Sequence, residues 1–544
     1  MSTFIALLAI LPAIFAVLPR SQQLGLKLKL GFIDRFASVC CFVWILGLEF
    51  NDAIALHFPR IVLPLPRGLT VLQLQELIAF CCILLLFARI RWWRLSLQRL
   101  PILVELAEGL LWSESYIELL ALIEEHHCMI FRNLTSDPIL VRFAAQIERQ
   151  RDIEDFLGVM FSEKAPAGLE RIAVWIRRHE RLRKPLSKLA SRLASRFDQS
   201  EKLAVLASSV FLNSKFIQKL ANIRPYLGLE FIKQWKDRFD SEVFIDRYFT
   251  ALLEDADSIL FRELRDNQNL QGNHFHIYPK NPLLHYLFSD VKNAFDAAAY
   301  RPVGEYVCRL LDSLARDSDT DPYNRSYIDF DHLKLRDPIY SSISFFHIMT
   351  AEALDQDYPW HMWLYYLSTF VQKMSRNYRV NDPLSSGQEE FPNRYAYLIY
   401  EAVYVLRELI RAGGDLKPTS NRTLRHGPGQ HENENILKSS VFALASCVGY
   451  VVLAENIGIK FRRYLVDIVF HEYFNLIDMP KMRPYGIVLA YQLANTVYSS
   501  GMKLGYIRFL DSVLQSNQME YAIKHNDFDG LKMRELRNSL FEDL

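Results

Sequence analysis

Three runs of apolar residues dominate the first ninety positions of the chain. Thr3 to Leu18 contains no charged residue, a second run extends from Phe36 to Leu48, and a third extends from about Leu69 to Ala88. A helix needs about 20 mostly apolar residues to cross the ~30 Å hydrocarbon core of a bilayer. The apolar cores of these runs are shorter, so their flanks are expected to lie among the headgroups. The pattern predicts an N-terminal transmembrane helical hairpin.

From residue 101 onward, apolar and charged residues recur at the spacing of amphipathic helices. Helices are predicted over the segments 105–128, 140–161, 201–220, 242–265, 296–316, 393–413, 437–454, 461–478 and 484–515. Alternating strand patterns beside Asn-Gly or Asp-Gly turns are scarce, and no fixed repeat period is present. The predicted fold class is therefore all-α, in which the N-terminal transmembrane hairpin precedes a large irregular helical cytosolic domain.

Polar and Gly/Pro-rich breaks suggest how the chain divides. The predicted parts are a membrane anchor with two or three hydrophobic helices (1–99), a helical cytosolic subdomain with a basic segment (100–270), and a helical cytosolic subdomain rich in aromatics (271–544). Residues 413–435, which contain Gly-Gly and Gly-Pro-Gly, are predicted to form a mobile loop.

Two later stretches are also free of charge, from Ser439 to Ala454 and from Pro484 to Met502. Both contain tyrosines, serines or amides. They are predicted to be central buried helices rather than further membrane spans.

Basic residues set the expected orientation of the hairpin. The segments before the second run and after the third run carry Arg20, Lys27, Lys29, Arg35, Arg89, Arg91, Arg94 and Arg99. Residues 51–68, between the two runs, hold only Arg60 and Arg67. Because basic flanks stay on the cytoplasmic side, the hairpin is expected to run in–out–in, with the bulk of the chain in the cytoplasm.

The first apolar run has a stripe of small residues that suits close packing between helices, namely Ala6, Ala9, Ala13 and Ala16. Whether residues 3–18 span the bilayer or lie at its surface remains open at this point. The residues expected at the membrane interfaces are Trp44, Glu49, Glu76, Arg89, Arg91, Trp92, Trp93 and Arg94.

Composition removes several classes of protein. The formal net charge is +1, so no global field selects nucleic acid or acidic substrates. The seven cysteines include the doublets Cys40-Cys41 and Cys81-Cys82 inside apolar runs, a usage that suits thiols in lipid or in a reducing cytosol rather than a secreted disulfide scaffold.

The strongest local charge lies between Arg171 and Arg196. This basic segment holds Arg171, Arg177, Arg178, Arg181, Arg183, Lys184, Lys188, Arg192 and Arg196 against one acid, Glu180. Three interpretations stay open: contact with nucleic-acid phosphates, contact with anionic lipid headgroups, or a solvated face of a helix.

No recognised catalytic motif is present, and we predict neither a cofactor nor a metal site. His274 and His276 flank Phe275 in a polar loop, whereas His471-Glu472 lacks the second histidine of a metalloprotease helix and is interpreted as a surface histidine. The aromatic block Tyr358–Tyr366 is interpreted as core or protein interface.

The layout of residues 1–99, with a basic collar and a large helical remainder, resembles membrane effectors of bacterial anti-phage systems, and the retron-associated two-span type in particular. That resemblance implies a bacterial inner-membrane protein silenced by a reverse transcriptase bound to its RNA–DNA hybrid. The basic segment 171–196 would then be a candidate contact for this partner.

The function expected from these features is that of a non-enzymatic toxin of abortive infection. Released from its regulatory partner, it would perturb the inner membrane by rearrangement or homo-oligomerisation of Phe36–Ala88. Two alternatives remain: a membrane-tethered scaffold or adaptor that binds a soluble partner, and an enzyme with an unrecognised site that uses His274, His276 or His347.

Overall fold

The fold is described by a computed structural model, in which the described residues are 28, 32–50, 70–92, 100–135, 200–235, 241–268, 270–271, 274–316, 321–327, 330–356, 358, 361–379, 391–415, 436–497 and 500–542. The structure is 81% helical and 1% strand, which confirms the predicted all-α class. The chain divides into two compact units, Met1–Phe216 and Ile217–Leu544. The predicted helix 140–161 lies outside the described residues.

The first unit contains two groups of helices. Its described helices are α1 Phe32–Glu49, α2 Val71–Trp92, α3 Leu100–Trp112, α4 Tyr116–Thr135 and α5 Ser200–Phe211. Helix α1 packs against α2, while α3, α4 and α5 pack against one another. The rings of Phe131 and Phe211 stack at 5.7 Å between α4 and α5, so this second group has an aromatic core.

Helix α6, Ser214–Ile223, crosses the boundary between the units. The second unit then contains α7 Pro225–Trp235, α8 Ser241–Glu254, α9 Ile259–Asp266, β1 Leu270–Gln271, β2 His274–Phe275, α10 Pro282–Phe288, α11 Val291–Asp296, α12 Tyr300–Arg316, two short 3-10 turns (Pro322–Asn324 and Lys334–Arg336), α13 Pro338–Asp355, α14 Leu364–Asn377, α15 Arg394–Asp415, α16 Ile436–Leu453, α17 Ile459–Asp478, α18 Arg483–Asn495, α19 Ser500–Ser516, α20 Gln518–Lys524 and α21 Leu531–Phe541. Strands β1 and β2 pair antiparallel, with Gln271 opposite His274.

Helix α16 lies at the centre of the second unit. It packs against α14, α15 and α18, and its apolar side chains such as Leu444 and Cys447 are fully buried. Gly449 permits the close approach of α18, because a Cβ there would lie 2.3 Å from the Thr496 methyl group. The prediction of a central buried helix over 439–454 is thus confirmed.

The second charge-free segment differs from its prediction. It is divided between α18, which ends at Asn495, and α19, which begins at Ser500. Ile487 and Tyr491 on α18 are more than half exposed. The described part of the segment 484–502 is therefore only partly buried.

Several predicted helices are interrupted by local caps. The predicted helix 201–220 breaks where the Asn213 side chain accepts a hydrogen bond from the Phe216 amide at 3.0 Å and caps α6. The predicted helix 242–265 breaks where Ser258 turns back to donate to the Leu252 carbonyl at 2.6 Å. These polar side chains satisfy backbone groups at the helix ends, which makes an interruption favourable.

The predicted division near residue 270 falls inside the second unit, between α9 and α10, which pack against each other. The boundaries at 99 and 270 stay predictions. The predicted mobile loop begins later than expected, because α15 includes Gly413 and Gly414 and ends at Asp415. Residues 416–435 lie outside the described part of the chain.

Candidate functional site

Helices α1 and α2 form an antiparallel hairpin held by a few specific contacts. The buried Gln75 side chain on α2 donates to the Ile45 carbonyl on α1 at 3.2 Å. Further along, the thiol of Cys82 lies beside that of Cys41. Position 41 thus pairs with 82 and position 45 with 75, which makes the two helices antiparallel.

The start of α2 is fixed by a reciprocal cap. The Thr70 hydroxyl accepts from the Gln73 amide at 3.3 Å, and the Gln73 side chain accepts from the Thr70 amide at 3.1 Å. This is a capping box, which satisfies backbone donors that a helix end leaves free. The Thr-x-x-Gln spacing was present in the sequence, but it was not used to place the helix start.

The outer surface of the hairpin is apolar and exposed. Its large side chains with 40–69% exposure are Phe36, Val43, Trp44, Leu72, Leu77, Phe80, Ile83, Leu84 and Leu85. Leaving apolar surface in water costs about 25 cal/mol per Å² relative to burial. A contiguous apolar surface of this kind marks a membrane or protein contact.

The residues predicted to mark the membrane interfaces are placed as follows. Trp44 and Glu76 are exposed on the hairpin. Glu49 is the last residue of α1, and Arg89, Arg91 and Trp92 belong to the last turns of α2, with side chains outside the described part. The remaining predicted anchor residues lie outside the described residues, namely Ala6, Ala9, Ala13, Ala16, Trp93 and Arg94. The basic segment 171–196 also lies outside them.

Length and composition alone do not identify the hairpin helices as membrane spans. Within the part of the chain that the structure describes, one helix is long and apolar enough to cross a bilayer, and it is α16, of which 72% is buried. The apolar part of α2, Val71–Leu85, is shorter. The helix that passes this test is thus mostly buried in the protein core, whereas the exposed apolar stretch of α2 is shorter than a membrane span.

A polar cluster in the second unit joins α17 to α20. His471 Nδ1 and His525 Nε2 lie 2.8 Å apart, so that one ring donates a hydrogen bond to the other. The second nitrogen of His471 faces Asp467 at 3.7 Å and Glu520 at 3.6 Å, and that of His525 faces Asp478 at 3.7 Å. The interpretation of His471 as a surface histidine is wrong, because it is paired and mostly buried.

Burial lowers the pKa of His471 and of His525, and the neighbouring carboxylates oppose this effect. The pair therefore favours neutral imidazoles that share one hydrogen bond. Among the described residues, no group of three histidine, cysteine or acidic side chains is placed to hold a metal ion.

The residue after His471 is a buried charge. Glu472 is fully buried on α17 and accepts from Arg411 at 2.8 Å and from Arg407 at 3.4 Å, both on α15. Breaking such a pair leaves an uncompensated charge in the core and costs about 3–5 kcal/mol. This contact has a structural role, since it joins two core helices.

The structure places the predicted polar loop, which contains β2, against α13. His274 Nδ1 lies 3.3 Å from Asp355 Oδ1, and the Phe275 ring meets His347 edge to face at 4.8 Å. Burial lowers the pKa of His347 to about 4, and burial raises the pKa of Glu352 to about 7. His276 instead contacts Tyr278.

Much of the aromatic block is core. Trp363 is completely buried and its indole donates to the Thr350 hydroxyl at 3.1 Å, while Met362 and Tyr365 are at least 40% exposed. This agrees with the core interpretation at Trp363 and leaves part of the block on the surface.

Comparison with protein-family models, curated proteins and solved structures found no significant match.

Proposed function

We propose that the chain is a membrane effector, anchored by the α1–α2 hairpin, that makes the membrane leaky when a regulatory partner releases it. The observation that carries the proposal is the exposed apolar surface of the hairpin, including Trp44, Phe80 and Leu84. Helix α16 does not compete for this role, because its apolar side chains are already used in the core. Among the described helices, α1 and α2 together carry the largest group of exposed large apolar side chains.

Membrane anchoring is tested by placing charges on that surface. Phe80 is 62% exposed and Leu84 52%, so the double change Phe80→Asp and Leu84→Asp should leave helix packing intact. Each central charge disfavours insertion by about 2.5–3.5 kcal/mol. We expect the full chain to resist extraction from membranes by alkaline carbonate, and the doubly substituted chain to be extracted.

The matched control is Val205→Asp on α5, where the replaced side chain is 60% exposed but lies outside the hairpin. This control should resist carbonate as the unmodified chain does. Extraction of the unmodified chain, or equal behaviour of both variants, would remove the proposal.

The effector step is tested by the membrane potential. Induction of the full chain without its regulator should depolarise cells, as reported by a potential-sensitive dye, whereas a version that lacks residues 1–99 should not. Equal depolarisation by both versions, or by neither, contradicts a membrane-perturbing role for the hairpin.

The regulator that we propose follows the resemblance to retron-associated effectors: a reverse transcriptase with its RNA–DNA hybrid, in contact with the basic segment 171–196. Nine basic residues against one acid give this segment the charge that phosphates require. Purification in detergent should recover a co-eluting partner that is lost after nuclease treatment. A chain that elutes alone, or a complex that is resistant to nuclease, argues against this partner.

A membrane-tethered scaffold is the second candidate function. Exposed apolar side chains on the second unit favour it, because Met519, Ile523 and Phe528 are each at least 65% exposed. A scaffold predicts that an unrelated transmembrane anchor in place of residues 1–99 preserves function. An effector whose hairpin acts on lipid should lose function after the same exchange.

A further inference from the structure

Each helix of the hairpin has a short stretch without charged residues, and we call the two stretches the charge-free belt. On α1 the belt covers residues 36–48, between Arg35 and Glu49, and on α2 it covers residues 77–88, between Glu76 and Arg89. At a rise of ~1.5 Å per residue these stretches are about 20 Å and about 18 Å long. The two helices thus carry belts of nearly equal length.

The antiparallel register sets the two belts side by side, with an offset of a few residues. Position 45 pairs with 75 and position 41 with 82, so Glu49 and Glu76 fall at the connecting end of the hairpin. Arg35 and Arg89 fall at the opposite end. The hairpin therefore has one acidic rim, one basic rim and a single apolar band between them.

This apolar band is thinner than a bilayer. The hydrocarbon core is ~30 Å thick, so a belt of about 20 Å leaves a mismatch of about 10 Å. An arginine side chain is in general long enough for its charge to lie among the headgroups, whereas a glutamate side chain such as that of Glu76 is shorter. Glu76 is exposed on the hairpin, so neither α1 nor α2 shields it from lipid.

We infer that the hairpin acts as a wedge that thins the bilayer around it, and that this deformation, rather than a pore lined by protein, makes the membrane leaky. The partner is a lipid bilayer whose hydrocarbon core is thicker than the belt. This inference deepens the proposed function and rests on it. It assigns Glu76 as the residue that sets the belt length on α2.

The experiment varies bilayer thickness with the full chain reconstituted in dye-loaded vesicles. The vesicles are dimyristoleoyl, dioleoyl and dierucoyl phosphatidylcholine, in order of increasing thickness. Dye release per carbonate-resistant protein should rise with thickness, by about tenfold from the thinnest to the thickest bilayer, because mismatch grows with each added ångström. Release that is independent of thickness, or greatest in the thinnest vesicles, overturns the wedge.

Two variants test the belt itself. Glu76→Leu extends the charge-free part of α2 to residues 71–88, which is about 27 Å and close to a bilayer core. Release in dioleoyl vesicles should then fall about tenfold. Adding Leu77→Glu to Glu76→Leu moves the carboxylate one residue along the helix and shortens the belt again, so release should return.

These positions suit the test because Glu76 and Leu77 are both exposed, so that neither change removes a packed side chain. Unchanged release by Glu76→Leu, or no return with the second substitution, contradicts the inference. If inserted protein releases dye equally from all three lipids, the wedge fails and the proposed function stands. If inserted protein releases no dye from any lipid, both fail.

Discussion

Individual side chains in this fold owe their chemistry to partners far away in the sequence. His471 is held by His525, which lies 54 positions later. His347 is covered by Phe275 from the β2 strand. Neither neighbour is visible from local spacing, which explains why His471 was predicted at the surface and why His347 was named without its partner.

The pH dependence of stability should reveal the burial of His347. Its pKa in the fold is about 4, below the ~6.5 of a free imidazole, so the unfolded chain takes up a proton that the folded chain refuses. The stability that the neutral ring contributes is present above about pH 6.5 and is lost as pH falls toward about 4. We expect His347→Phe, which removes the titration, to reduce the loss of unfolding free energy over this range.

The measurement is chemical denaturation of both proteins at several pH values, compared with about pH 8, where the imidazole is neutral in both states. Glu352 lies on the same helix and remains in both chains, so its titration is common to the comparison. Parallel stability curves for the two proteins would show that His347 is not held neutral by the fold.

At the scale of helices, the periodic pattern was informative where one face is clearly apolar. Helices α15, α16 and α17 begin and end within two residues of their predicted bounds. Helix α13 was missed although Asp337 and Pro338 form a strong start, with Asp337 accepting from the Ile339 and Tyr340 amides at 2.9 Å. Its buried surface is nearly continuous around the helix, so no amphipathic period marks it.

Helix packing between α12 and α14 depends on a glycine that the sequence does not single out. A Cβ on Gly304 would lie 2.3 Å from the Tyr366 ring, so Gly304→Ala must displace that ring. Overpacking of this kind should lower the unfolding free energy by about 1–3 kcal/mol. The control is Gly505→Ala in α19, where an added Cβ meets nothing within 4 Å. This substitution should raise the unfolding free energy by about 0.5–1 kcal/mol, because alanine favours a helix more than glycine does.

Thermal or urea unfolding of both variants decides the point. A Gly304→Ala protein as stable as the unmodified chain would mean that Tyr366 moves without loss. The two Gly→Ala substitutions are expected to change the unfolding free energy in opposite directions. This difference separates the effect of helix packing from the general preference of helices for alanine over glycine.

For the whole molecule, the sequence predicted an all-α chain with an N-terminal transmembrane hairpin. The described helices confirm the all-α class, whereas the one described helix that is long and apolar enough to span a membrane is α16 and not a helix of the hairpin. Composition alone does not distinguish a helix that faces lipid from a helix of a protein core. Helix α16 and the hairpin helices are similarly apolar, and tertiary packing separates them, since α16 is mostly buried by its neighbours while α1 and α2 expose many large apolar side chains.

That distinction can be tested on the second unit alone. A fragment from Asn213 to Leu544 keeps the cap of α6 and the whole core around α16. Because α16 is 72% buried within that core, the fragment should remain soluble without detergent and should be removed from membranes by a carbonate wash. It should also lose its helices in one cooperative unfolding transition. The full chain should need detergent.

Leu444→Asp, which places a charge at a fully buried position of α16, should unfold the fragment. If instead the fragment enters membranes with α16 intact, that helix is a span, and the hairpin is not the sole contact with lipid.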